Sequence, residues 1–163
     1  MLAVRLLVLV VGAIVLAATA PVHAQVDHAA LDSFMKQVQE HDVFCEGLAA
    51  KMLKTPGGGV VLFRTVAARV QTIPTAGLPP DLEEAFRHYA VCVQAVVAVF
   101  KDFPEKPEEI VAYMRRKTAE NPNFQRDEEK KNAHVMTAMG EAIGKVDAAG
   151  LKHGIIGLGD LLQ

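Results

Sequence analysis

Two histidine–cysteine pairs with the same spacing are the residues of this chain best suited to chemistry. His41 stands four positions before Cys45, and His88 stands four positions before Cys92. Because residues four apart share one face of an α-helix, each pair can present an imidazole nitrogen and a thiol to one point. Two nitrogen and two sulfur ligands suit tetrahedral zinc or a soft copper ion. The repeated spacing predicts, as one alternative, a metal site formed by all four residues.

The same cysteines favour a second interpretation, a disulfide bond between Cys45 and Cys92. An even number of cysteines is typical of exported proteins, which meet an oxidising compartment. Closing a loop of 92 − 45 = 47 residues would stabilise the fold by about 4 kcal/mol in the chain-entropy model. We favour the disulfide, without a cofactor, because the His-x-x-x-Cys spacing also arises by chance.

Other chemistry has weaker support in the sequence. His134, Met136 and Met139 have the composition of a copper-handling cluster, but residues 134 and 136 point to opposite faces of a helix. The sequence contains no nucleophile elbow, zinc-protease helix, dinucleotide fingerprint or haem-attachment motif. We therefore expect no catalytic residues and a protein that is not an enzyme.

The start of the chain has the layout of a secretory signal. Arg5 precedes an apolar stretch from residue 6 to 20, and the small residues Val22 and Ala24 fit a signal peptidase. The apolar stretch is shorter than the ~20 residues that a spanning helix needs. We predict cleavage after Ala24, giving a signal peptide (1–24), a domain (25–163), no stable membrane span after cleavage, and a periplasmic or extracellular location.

Charge and composition exclude some classes of protein. The signal holds one of the 17 basic residues and none of the 19 acidic ones, so the mature charge is 16 − 19, or −3. A nucleic-acid binder needs a concentrated basic surface, which this balance does not favour. The chain also lacks tryptophan and has only two tyrosines, so an aromatic stacking platform is not expected.

The spacing of apolar residues predicts the elements that position these side chains. Their period is near 3.6 along the mature chain, which indicates an all-α fold, a small single-domain bundle of four to five helices. Prolines, glycines and an N-cap at Asp27 predict the boundaries. The expected helices are 27–54, 60–71, 81–103, 107–119 and 122–149. The segment that begins at Val60 has a strand-like start, and we predict helix there.

The C-terminal tail, residues 150–163, is rich in glycine yet carries several large apolar side chains. Such a tail either closes the core or supports self-association or binding of a partner protein. Together, these features predict an exported helical bundle that acts by binding or structural association in the cell envelope or outside the cell. The alternative is an envelope metal-binding protein that uses His41, Cys45, His88 and Cys92.

Overall fold

The computed structural model describes residues 27–52 and 54–162, which fold into five α-helices. These are α1 (His28–Met52), α2 (Gly58–Val70), α3 (Pro80–Val99), α4 (Pro107–Glu120) and α5 (Phe124–Lys152), and a 3-10 turn (Asp160–Leu162) follows. No strand occurs in these ranges, so the prediction of an all-α bundle in one small domain is confirmed. None of the helices in these ranges is long and apolar enough to cross a membrane. The predicted signal peptide lies outside the described residues.

The helix starts follow the signals in the sequence. The carboxylate of Asp27 accepts hydrogen bonds from the backbone N–H groups of Ala29 (3.0 Å) and Ala30 (3.2 Å), as the predicted N-cap requires. Pro80 and Pro107 are the first residues of α3 and α4, where a missing N–H costs nothing. The element starts were therefore predictable to within about two residues.

The segment with the strand-like start is helical, as predicted, and α2 begins two residues earlier than expected, at Gly58. The chain turns there through Gly57, whose φ of 80° favours glycine. A Cβ atom on Gly58 would lie only 1.9 Å from the carbonyl oxygen of Met52, the last residue of α1. Glycine at position 58 is therefore what lets α2 pack directly against the end of α1.

The core is centred on α3, which packs along α5 and also contacts α2. The helix α3 is the central helix, since its Leu82, Phe86 and Val96 are fully or almost fully buried. The helix α1 joins this core through large side chains, such as Phe34, whose ring centroid lies 5.0 Å from that of Phe86. The backbone of α1 packs mainly against α2 and the 3-10 turn.

A half-buried arginine fixes the end of α3. The guanidinium of Arg64, on α2, donates hydrogen bonds to the carbonyl oxygens of Phe100 (2.7 Å), Phe103 (2.7 Å) and Pro104 (2.9 Å). Carbonyl groups at the end of a helix lack partners within the helix. The contact stabilises the turn between α3 and α4 and holds α2 against it.

The C-terminal tail closes the core. Ile155, Leu158 and Leu162 are buried, whereas Ile156 is 85 % exposed. A Cβ atom on Gly150 would lie 3.1 Å from Leu158, so glycine lets the tail return closely over the end of α5. Closure of the core is the first of the two roles predicted for this segment, and association through the tail stays a prediction.

Candidate functional site

A cavity of about 360 Å³ lies between α1, α2, α3, α5 and the C-terminal turn. Most of its wall is apolar and comes from four of these five elements. The apolar lining residues are Ala49, Leu62, Phe63, Val66, Val93, Leu161 and Leu162. The remaining wall carries polar or sulfur-containing side chains, which give the cavity its chemistry.

The first histidine–cysteine pair forms part of this wall. The Sγ atom of Cys45 lies 3.4 Å from Nε2 and 3.9 Å from Nδ1 of His41. Both residues line the cavity from one face of α1, one helical turn apart. The imidazole and the thiol therefore meet as their spacing predicts, and they meet at a place where a ligand could reach them.

Burial keeps both members of this pair uncharged at neutral pH. Desolvation lowers the pKa of the His41 imidazole, and the positive charge of Arg69 lowers it further, against the opposing effect of Asp42. Desolvation also raises the pKa of the Cys45 thiol, with Arg69 acting against this shift and Asp42 adding to it. The two shifts disfavour a thiolate–imidazolium pair, which is the state that a cysteine nucleophile needs.

Tyr89 brings a phenol to the same cavity. Its hydroxyl donates a hydrogen bond to the carbonyl oxygen of Leu162, at 3.2 Å. Burial strongly raises its pKa, and the nearby Cys45 adds to this shift. Tyr89 therefore remains a neutral hydrogen-bond donor, and it ties the end of the described chain to the wall of the cavity.

The second histidine–cysteine pair lies elsewhere. The Nε2 atom of His88 is 3.9 Å from the Sγ atom of Cys92, but His88 is exposed in a shallow groove between α3 and α5. Neither residue lines the cavity. Each residue of a helix is rotated by about 100° from the previous one, so Cys92 points about 60° away from Tyr89 around α3.

The four residues consequently do not form the predicted constellation. Cys45 and Cys92 are both free thiols, so the predicted disulfide is not present in this structure. No group of three or more His, Cys, Asp or Glu side chains that could hold a metal ion occurs within residues 27–52 and 54–162. His41 and Cys45 line the cavity from α1, whereas His88 lies in the groove between α3 and α5. The two pairs therefore do not share a site.

Two methionines add thioether groups to the wall of the cavity. Met136 and Met139 are half-buried and line the wall from α5. His134, the third residue of the cluster considered from the sequence, is exposed and is not among the lining residues. His134 and Met136 thus lie on different faces of α5, as predicted. The two methionines are on the face that lines the cavity.

No protein-family model, curated protein or solved structure matches this chain. Its cavity therefore has to be interpreted from its own geometry. A mostly apolar cavity whose wall carries a neutral thiol, a neutral imidazole, two thioethers and two carboxylates is suited to holding a ligand.

Proposed function

We propose that this chain is an exported helical-bundle protein that acts by binding a small ligand in the cavity between α1, α2, α3 and α5. The observation that carries the proposal is the cavity itself, about 360 Å³ in volume and mostly apolar. Small-molecule pockets begin at about 300 Å³ and combine apolar walls with a few polar groups.

Ala49 offers a direct way to fill the cavity. It lines the wall from α1, whereas the next residue, Ala50, is exposed on the same helix. Replacing Ala49 by tryptophan places a large ring in the ligand space, and Ala50→Trp adds the same ring on the outer surface. Because the chain contains no tryptophan, each variant also carries a single indole fluorophore.

The experiment measures binding of Nile red, a neutral apolar dye that fluoresces more strongly in apolar surroundings. We expect saturable binding to the wild-type protein and to Ala50→Trp, and a loss of about tenfold or more in affinity for Ala49→Trp. The indole of Ala49→Trp should emit at a shorter wavelength than that of Ala50→Trp, which shows that the ring is inside. Equal dye binding by the two variants, with the inner ring confirmed by its emission, would contradict the proposal.

Export is the second part of the proposal. It is supported by Arg5, by the apolar stretch from residue 6 to 20 and by the small residues before Gln25. N-terminal sequencing of the protein from a periplasmic or culture fraction should give a mature chain that starts at Gln25. A chain that keeps Met1 would contradict cleavage.

A further inference from the structure

The donor atoms of the cavity favour one class of ligand over others. His41 and Cys45 supply an imidazole nitrogen and a thiol from α1, and Met136 and Met139 supply two thioethers from α5. Sulfur ligands of these two kinds select soft ions, above all Cu(I). We infer that the cavity binds a Cu(I) ion through Cys45 and His41, with a thioether of Met136 or Met139 completing the site. The inference rests on the proposed role of the cavity as the ligand site.

The geometry of the α1 pair already fits a shared metal ion. Cys45 Sγ and His41 Nε2 are 3.4 Å apart. With bonds of about 2.0 Å to nitrogen and about 2.3 Å to sulfur, this separation corresponds to an angle of about 104° at the ion, close to the tetrahedral value. One ion can therefore contact both atoms without a rearrangement of α1.

The thioethers supply the third contact. Met136 and Met139 are three residues apart on α5, so their side chains project from the same side of that helix into the cavity. A methionine side chain has three rotatable bonds and adapts to irregular spaces. Either sulfur can therefore move towards the Cys45–His41 pair, and the other can stay on the apolar wall.

The arrangement favours Cu(I) over zinc. Structural zinc sites use four Cys, His or carboxylate ligands, and catalytic sites use three of them. The described residues contain no such group of three. Asp42 and Glu46 also line the cavity but form no such group with His41 and Cys45, and the remaining donors are thioethers, which suit Cu(I) and are poor ligands for zinc.

The charge of a thiolate-bound Cu(I) ion also suits the cavity. On binding, the Cys45 thiol loses its proton to solvent and its sulfur bonds to the ion, while copper enters and stays as Cu(I), so no electron is transferred. The thiolate and the monovalent ion sum to zero charge, so the bound pair adds no net charge to the apolar part of the wall. Asp42 and Glu46 line the same cavity and attract a cation towards it.

The test is an anaerobic titration of the purified, reduced protein with Cu(I) in competition with bicinchoninate, a coloured Cu(I) chelator. We expect the wild-type protein to withdraw one Cu(I) per chain. Cys45→Ser should weaken binding by about 100-fold, because the thiolate carries the neutralising charge. The double change Met136→Leu and Met139→Leu, which keeps volume and apolarity, should weaken it by about tenfold.

Two control variants share these chemical changes at other places. Cys92→Ser removes the cysteine of the second His-x-x-x-Cys pair, and Met114→Leu removes a thioether that packs in the separate cluster around Phe103. Both should bind Cu(I) as the wild-type protein does, within about twofold. Urea unfolding of all variants shows whether a loss reflects the site rather than the fold.

Three results would overturn the inference: equal losses for Cys45→Ser and Cys92→Ser, wild-type binding by the Met136→Leu/Met139→Leu protein, or zinc binding tighter than Cu(I) binding. Binding of Nile red distinguishes failure of the Cu(I) inference from failure of the proposed function. A protein that binds the dye in the cavity but no Cu(I) keeps its binding function and loses the copper assignment. A protein that binds neither loses both.

Discussion

Leu158 anchors the tail that completes the cavity, and we expect its truncation to be the most damaging change in that segment. Its side chain is fully buried against the end of α5, whereas Ile156, two residues earlier, is 85 % exposed. Leu158→Ala and Ile156→Ala remove similar numbers of carbon atoms from the same short stretch. The difference between the two variants therefore measures burial alone.

The magnitude follows from the atoms removed. Leu158→Ala removes three buried carbon atoms, which costs about 2.4 kcal/mol at about 0.8 kcal/mol each. The space left behind adds to this, and truncations of fully buried leucines cost about 3 to 5 kcal/mol in total. Ile156→Ala removes carbon atoms that are already in water, so its unfolding free energy should change by less than about 0.5 kcal/mol.

Urea unfolding followed by far-UV circular dichroism measures both values. A loss of about 3 kcal/mol or more for Leu158→Ala, beside an almost unchanged Ile156→Ala, is the expected result. A stable but loosened Leu158→Ala protein should also bind Nile red more weakly, because Leu161 and Leu162 belong to the cavity wall. If the two variants differed by less than about 1 kcal/mol, the tail would not close the core as described.

Three further predictions follow from other contacts. Gly58→Ala should destabilise the protein, because its Cβ would meet the Met52 carbonyl at 1.9 Å. Gly59→Ala, whose Cβ would have no atom within 4 Å, should stabilise it by about 0.5–1 kcal/mol. Thermal melts of the two variants check both signs. A hydrogen bond from His153 lowers the pKa of Asp81, so this contact stabilises the fold above the unfolded pKa and is lost as pH falls below about 4. Urea unfolding from pH 6 to 3 should therefore show the wild-type protein losing its advantage over Asp81→Asn, and a constant difference would contradict this account. Finally, the intact mass of the unreduced protein should not change on reduction, and thiol titration of the unfolded protein should give two thiols per chain; a gain of two protons on reduction would show a disulfide.

The helices were predictable because their signals are local. Asp27 caps α1 with its own side chain, and Pro107 begins α4 where its missing N–H is harmless. The apolar period near 3.6 indicated an all-α fold. The end of α3 was less predictable, since the chain leaves the helix at Phe100, where Arg64 of a different helix donates a hydrogen bond to the backbone carbonyl.

The candidate site was predictable only in part, because it depends on which helices are neighbours. Spacing along α1 was enough to bring His41 and Cys45 together. An inward-facing cysteine on α3 says that Cys92 is buried but not what it faces, and the structure turns it away from Cys45. The methionines were noted in the sequence as part of a possible copper-handling cluster. The cavity that they line could not be predicted, because it depends on how several segments pack together.

The hydrogen bond between Tyr89 and Leu162 joins residues 73 positions apart. A chain that emerges from a ribosome or a translocation channel with its N-terminus first has no complete cavity until residue 162 is released. A ligand can therefore be held by the complete wall only after this turn has docked. Docking of this turn and completion of the cavity are consequently one step of folding, and a shortage of ligand should leave a folded but empty protein.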